Sequence, residues 1–293
     1  MLKLLSHNEI DFAKYDSCIE NSMQGKVYAM SWYLDAVFPD WSVYVVDDYD
    51  VVMPVPLKRK LGLVYALQPQ FCQQLGLFSK SWLSRLQARE LIAKLPFLYR
   101  LCFNSVNVDV CDEKKLRPNY VLDLSYDYEV LNAGFSLQCR RNVKKAKSFV
   151  QSVAEISRDD YLVFLRENAG QWMGKLQIPI LTRLIDNAIS AGCAEFISVR
   201  DENSQVLAAV FFVRWGGRLY YISPVSSEKG RNCLSMSFLM NDMVEHNSGK
   251  SLLIDFEGSV IESIRNFYTG FGAKNEPYPM LERNMWVAKL MGK

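Results

Sequence analysis

Little in this sequence favours metal or disulfide chemistry. Its seven cysteines (Cys18, Cys72, Cys102, Cys111, Cys139, Cys193, Cys233) are scattered and include no Cys-x-x-Cys pair. An odd, dispersed set suits free thiols in a reducing compartment. His7 and His246 are the only histidines, so a His/Cys zinc site is not expected, and no metal is assigned. No apolar run approaches the ~18 residues of a membrane span. The stretch Met1–Ile10 carries Lys3, His7, Asn8 and Glu9, so no signal peptide is expected. A formal charge of +2 gives no global argument for a nucleic-acid partner, and an anionic ligand has to be argued from a local patch. The expectation is a cytoplasmic protein without a membrane span.

What is present is ordinary globular composition, 49% hydrophobic and 23% charged over 293 residues. That length exceeds a usual single core and predicts about two domains. A weak internal repeat agrees. Val27–Phe38 has helical apolar spacing, and Trp41–Val46 and Val51–Val55 flank the turn at Asp47–Asp50 as a hairpin. Leu63–Leu67 then reads as a strand, about Ser81–Leu95 as a helix, and Leu101–Val108 as another strand. The order recurs roughly 150 residues later. There Ile180–Ala191 is a helix stopped by Gly192. Glu195–Val199 and Val206–Val213 form a hairpin, Arg218–Ile222 a strand, about Leu234–His246 a helix, and Ser251–Asp255 a last strand. The reading is α/β with mixed sheets. The boundaries are 1–125 and 126–293, and the second domain opens with a basic connecting helix at 129–150.

The most informative segment is Leu252-Leu-Ile-Asp-Phe-Glu-Gly-Ser259, followed by Ile264-Arg-Asn-Phe-Tyr-Thr-Gly-Phe-Gly-Ala273. A buried strand ends in two carboxylates and a glycine, and open α/β sheets place ligands at such ends. Alternation puts Asp255 and Glu257 on one side of the strand. Either is a candidate base for deprotonating an attacking amine, and Tyr268 is a candidate acid for the leaving group. The plain alternatives are helix capping for the acids and core packing for the phenol.

Between the repeats, Arg140, Arg141, Lys144, Lys145 and Lys147 fall within three helical turns with no interleaved acid. Such a face fits an anionic partner such as a nucleotide pyrophosphate, tRNA or an acidic glycan precursor, unless it is simply a solvated surface. Gln70 and Gln73 sit in a loop beside Cys72, where amides can read hydroxyls or peptide groups of a substrate.

The sequence of helix, hairpin, strand, helix, strand and carboxylate, closing on Phe267-Tyr268 and Gly270-Phe271-Gly272, resembles the GNAT superfamily of acyltransferases. The tandem arrangement around Arg140-Arg-Asn-Val-Lys-Lys145 resembles the Fem family, tandem GNAT-like aminoacyl or acyl transferases of which some act on peptidoglycan precursors. The resemblance covers nearly the whole chain in element order. It implies two tandem domains of the acyl-CoA N-acyltransferase fold, each a twisted mixed sheet flanked by helices. It also implies acetyl-CoA or another acyl-CoA as donor, with aminoacyl-tRNA as the other donor class. Lys229, Gly230, Arg231 and Asn232 occupy the place of the family's phosphate loop. One departure stands out. The family's Gln/Arg-x-x-Gly-x-Gly/Ala loop here reads Ser226-Ser-Glu-Lys-Gly-Arg-Asn-Cys-Leu-Ser235 and lacks the second glycine. The corresponding Gln68–Gly76 of the first copy is polar and uncharged, so the second copy is expected to be the active one. The resemblance also places Trp172 and Lys175 on the acceptor side.

The expected function is transfer of an acyl or aminoacyl group to an amine on a sugar, peptide or cell-envelope precursor. Two rivals come from other classes. One is a degenerate, non-catalytic protein that binds a nucleotide or RNA. The other is a thiol hydrolase built on Cys72.

Overall fold

The computed structural model describes residues 2–111, 114–170, 173–174 and 177–286. The chain forms two compact units, one running to Pro118 and resuming at Pro277, the other spanning Asn119–Glu276.

The first unit opens with β1 (Leu2–Leu5), α1 (Phe12–Glu20) and α2 (Ser31–Val37). A hairpin of β2 (Ser42–Val46) and β3 (Val51–Val55) follows, then β4 (Leu57–Lys60), β5 (Leu63–Leu67) and the short β6 (Phe78–Ser79). Pro56, which has no N–H to give, separates β3 from β4. α3 (Arg85–Ile92), β7 (Leu98–Cys102) and β8 (Lys115–Arg117) complete this part. The strand expected over Leu101–Val108 is cut short at Cys102. Asn104 accepts from the Asn107 amide at 3.2 Å and bends the chain into a tight turn, the side-chain competition typical of asparagine.

The second unit begins with β9 (Tyr120–Asp123). The basic segment is two helices, α4 (Tyr128–Ala133) and α5 (Leu137–Lys147), with Gly134 between them. Then come β10 (Ser152–Glu155), α6 (Arg158–Asn168), α7 (Gln177–Ser190), β11 (Ala194–Arg200), β12 (Val206–Trp215), β13 (Arg218–Ser226), α8 (Glu228–Asn232), α9 (Ser235–Asn247), β14 (Leu253–Asp255), α10 (Glu262–Gly270) and β15 (Lys274–Asn275). The last described strand, β16 (Tyr278–Arg283), belongs to the first unit.

The second unit has one sheet, ordered β10-β11-β12-β13-β14-β9-β15. The first has two, β1-β2-β3-β6 and β4-β5-β7-β16-β8. With β3 and β4 taken as one interrupted strand, the two orders coincide apart from β6, which pairs with β3 and has no counterpart among the described strands of the second unit. The parallel strand pairing also falls at the same place, β5 with β7 and β13 with β14. The duplication legible in the sequence is therefore a duplication of topology.

The chain crosses over in a reciprocal way. β9 follows β8 in sequence yet lies between β14 and β15, with Leu122 opposite Ile254. β16 follows β15 yet lies between β7 and β8. A boundary at 125 would leave β9 with the first unit. The structure assigns it to the second because Tyr120, Leu122 and Leu124 are buried in that unit's core with Leu219, Ile254 and Phe256. Pro118 ends the ladder just before it.

Candidate active site

The parallel pair of the second unit is short. β13 meets β14 only over Arg218–Tyr220 and Leu253–Asp255. Beyond Tyr220, β13 runs on to Ser226 with β12 on one side and, among the described residues, no strand on the other. A register shift between Phe211 and Phe212 sets Ser223 opposite Phe211 and Tyr221 opposite Phe212, so Ile222 is the unopposed residue. The Ser223 carbonyl accepts from the Tyr161 hydroxyl at 2.7 Å. Among the described residues the buried Ser223 hydroxyl has no hydrogen-bond partner. A hollow of about 220 Å³ lies here, lined by Asn168, Tyr221, Pro224, Val225, Arg231 and Met236 among others.

At the carboxyl end of β14 the two acids have separate surroundings. Asp255 is fully buried. Its Oδ2 accepts from Arg218 Nη1 at 3.0 Å and its Oδ1 from the Glu257 amide at 3.0 Å. Arg218 also holds Glu276 with two bonds, at 2.8 and 3.1 Å. Burial works against the Arg218 charge, but the Glu276 hydrogen bonds and the Asp255 carboxylate outweigh it and raise the guanidinium pKa. The expectation that Asp255 shares the base role does not fit this setting. Both its oxygens are occupied in fixing the strand end and the turn after it. Glu257 is partly exposed and has φ +60°, left-handed backbone unusual for glutamate. Its carbonyl accepts from the Tyr120 amide at 3.1 Å, which ties the turn to the exchanged strand β9.

Tyr268, near the end of α10, stacks on Phe256 with ring centroids 4.9 Å apart and meets Tyr221 edge-on at 6.1 Å. Burial, and then the charge of Glu257, push its phenol pKa upward. The structure therefore brings Glu257 and Tyr268 into one electrostatic neighbourhood. The hydroxyl takes no hydrogen bond from the protein among the described residues. A core-packing role for the ring and a proton-donor role for its oxygen are both compatible with this placement.

The expected phosphate turn is built differently from the family pattern. Ser227 caps α8, its Oγ accepting from the Gly230 amide at 3.0 Å, and its carbonyl accepts from the Arg231 amide at 2.9 Å. Gly230 is required by packing. A Cβ there would stand 1.9 Å from the Leu207 carbonyl oxygen, so β12 passes too close for any side chain. Lys229 pairs with Asp201 at 2.5 Å, which lowers that carboxyl's pKa, and Arg231 donates to the Ser226 carbonyl at 2.5 Å. Asn232 is exposed, and with Glu228, Lys229, Cys233, Lys145 and Phe149 it lines an open cleft of about 480 Å³. The turn and the basic helix α5 thus share a surface, a neighbourhood that spacing along the chain does not reveal.

Along α5 the cations divide. Arg140 donates to the carbonyls of Asn132 (3.2 Å), Ala133 (3.2 Å) and Phe135 (2.6 Å) and closes the carboxyl end of α4. That reassigns Arg140 from ligand binding to capping. Arg141, Lys144, Lys145 and Lys147 are exposed and form no ion pair among the described residues. Trp172 and Lys175 lie outside the described residues.

Gln70 and Gln73 belong to the first unit. Gln70 is exposed, and Gln73 accepts from Gln74 at 2.8 Å. Their neighbour Gln68 was not singled out by sequence and does more. Its Oε1 accepts from the Cys102 amide at 2.9 Å and its Nε2 donates to the Cys72 carbonyl at 2.8 Å. Leu75 then returns to bond the Cys102 carbonyl at 2.8 Å. The opening that the second unit keeps beyond its parallel pair is filled here by the chain itself. Cys72 is buried, with its Sγ 3.9 Å from the Tyr28 carbonyl. His246 is exposed and bonds Asp242, so neither residue is arranged as a hydrolase pair would be.

The signals missed at the sequence level were Arg218 and Glu276. A lone arginine opening an otherwise apolar strand was the available clue to the buried clamp.

No protein-family model matches the chain. No curated protein matches it either. Solved structures do. FemX superposes with a TM-score of 0.69 at 13% identity, over 99% of this chain and 100% of that one. L-PGS from Bacillus licheniformis gives 0.56 at 12% identity, over 92% and 91%. A conserved protein of unknown function from Bacteroides thetaiotaomicron gives 0.56 at 12%, over 94% and 98%. At these identities the likeness establishes the fold alone, one shared with FemX and L-PGS.

Proposed function

We propose that this Fem-like tandem protein is an acyltransferase whose second unit moves an acyl or aminoacyl group from an ester or thioester donor to an amine on a sugar, peptide or cell-envelope precursor. The observation that carries the reading is the open end of the β13–β14 pair with Glu257 and Tyr268 beside it. Glu257 takes the proton from the acceptor nitrogen as it attacks the donor carbonyl. The C–N bond forms, the C–O or C–S bond breaks, and Tyr268 gives its proton to the leaving oxygen or sulfur. The raised pKa of Tyr268 keeps it in the acid form for that step. In this reading backbone amides along the β13 edge beyond Tyr220, Pro224 excepted, steady the oxyanion. Arg218 and Asp255 hold the Glu257 turn without touching substrate. Holding both substrates together supplies much of the remaining acceleration.

The phosphate turn argues about the donor. Its Gly230 and Arg231 amides are bonded to Ser227, and Lys229 and Arg231 already have protein partners, so it fits a CoA pyrophosphate poorly. Anion contact passes instead to Asn232 and to Arg141, Lys144 and Lys145 on α5. That favours a donor with many phosphates, aminoacyl-tRNA, over acetyl-CoA. A domain from Agrobacterium fabrum with TM-score 0.56 and 12% identity is named for a lysylphosphatidylglycerol synthetase, which supports an aminoacyl cargo.

The test offers the protein charged tRNA and, separately, acetyl-CoA, with an amine acceptor. Transfer from charged tRNA alone is the expected result. Transfer only from acetyl-CoA keeps the reaction class and overturns the donor. Tight RNA binding with no transfer from either donor leaves the non-catalytic reading, which the unpaired cations of α5 favour.

A further inference from the structure

At one end of the first unit's five-stranded sheet, three segments gather that the proposed reaction does not use. The β4–β5 hairpin turns at Leu61–Gly62, with Lys60 opposite Leu63. β7 runs parallel to β5 and begins with Leu98 beside Tyr65, so Phe97 stands at that same end. β16 is antiparallel to β7, with Arg283 opposite Tyr99, and Asn284 donates to the Phe97 carbonyl at 2.9 Å. Met285 packs with Leu63 against Tyr65 and Leu98. Leu61, Phe97 and Trp286 are therefore close along one sheet end, at 90%, 56% and 62% exposure.

The charge within these segments is of one sign, and the adjoining Glu282 is already paired with Arg100 and Lys115. Residues 57–63, 93–99 and 283–286 contain five cations, Lys58, Arg59, Lys60, Lys94 and Arg283, and no carboxylate. Lys58 lies over the Phe38 ring at 4.9 Å and Arg283 over the Tyr99 ring at 5.4 Å, so two of the charges are fixed in position. Leu61 is the residue that local rules do not explain. It has φ +51° in a two-residue hairpin turn, where asparagine or glycine would suit the backbone, and its exposure shows that it packs on little. A projecting aliphatic side chain, two exposed aromatics and a rim of cations are the chemistry of interfacial membrane binding. The apolar groups enter the headgroup boundary and the cations meet anionic phosphates. RNA would use the cations but would leave Leu61 unexplained.

We propose that this end of the first unit docks peripherally on an anionic lipid surface, with Leu61, Phe97 and Trp286 entering the headgroup layer. Among the described residues no helix is long and apolar enough to cross a membrane, so the attachment is at the surface. The inference rests on the first unit alone and uses neither Glu257 nor Tyr268. It stands or falls separately from the transfer reaction.

The test is co-sedimentation of the full chain with phosphatidylcholine vesicles, with and without phosphatidylglycerol, at low and high salt. Binding is expected only with phosphatidylglycerol and should weaken with salt. Arg59→Ala should weaken it about fivefold, the effect of one cation near such a surface. Leu61→Asn is the decisive variant, because asparagine suits the turn and should leave thermal stability unchanged or higher while lowering vesicle binding. Equal binding by Leu61→Asn overturns the proposal, as does no binding of the wild-type chain at low salt. Loss of self-association in Leu61→Asn, seen by gel filtration with vesicle binding unchanged, would assign the patch to a second copy and also overturn it. Transfer to a soluble acceptor, assayed without vesicles, reads the proposed function independently.

Discussion

The two parallel strand pairs of this molecule begin alike and end differently. In the first unit the pair closes at Leu67–Arg100, and Gln68 then bridges to the Cys102 amide while Leu75 bonds the Cys102 carbonyl. In the second the pair closes at Tyr220–Asp255, and among the described residues no strand takes up the edge of β13 beyond it. Two residues past the last pair stands Cys102 in one unit and Glu257 in the other. Duplication supplied the same opening twice, and one copy filled it. Closing the opening takes only a loop that folds back and one glutamine. Where it stays open, a buried ion cluster holds the adjoining left-handed turn.

The comparison can be broken most decisively by cutting the chain. A fragment of residues 126–293 lacks β9 and should fail to fold, whereas residues 119–276 keep the whole second sheet. Circular dichroism and soluble yield of the two fragments check this, and a folded 126–293 would contradict the role given to β9. Next in size, Glu257→Gln should slow turnover by about 10²–10⁴, while Gln68→Ala in the filled opening should change it little. Similar losses in both variants would erase the distinction between the units. Arg218→Met leaves the Asp255 carboxylate buried and unpaired, and should destabilise the protein by about 3–5 kcal/mol in thermal or denaturant unfolding. Tyr268→Phe should cost about 10² in kcat, the lower end of the acid–base range. Because the pKa of this phenol is raised, its neutral form persists past the ordinary value of about 10. If the wild-type chain carries out the proposed transfer, its rate should therefore show no alkaline loss from Tyr268 below that pH. The favourable burial of the neutral ring is fully present below pH about 10 and fades above it. An alkaline limb near pH 8 that disappears in Tyr268→Phe would contradict this sign. The smallest effect is expected from Lys144→Ala, a few-fold weakening of donor binding that fades at high salt.

Much of this architecture was legible because its elements carry strong periodic signals. Both hairpins, the helix before Gly192 and the strand ending at Asp255 lie where apolar spacing and turn residues put them. The strand placed over Leu101–Val108 was misread because Asn104 diverts its own backbone, and apolar alternation does not register that competition. The partition of the acids was illegible for another reason. Asp255 and Glu257 are two residues apart on one strand, and only the arrival of Arg218 from β13 separates a buried anchor from a partly exposed carboxylate. Arg140 shows the same limit: among five similar cations, spacing cannot tell which one folds back onto the carbonyls of the preceding helix. The exchange of β9 and β16 left no trace in composition, since a short apolar strand reads the same whichever sheet receives it.

That exchange sets an order of events during synthesis. Among the described strands β8 pairs only with β16, so the first unit cannot finish its sheet when its own residues leave the ribosome. At usual rates the stretch from Arg117 to Arg283 takes roughly 10–30 s to make. Throughout that interval the edge of β7 that β16 will cover stays open to chaperones and to other nascent chains. The part of the protein made first is thus the part completed last.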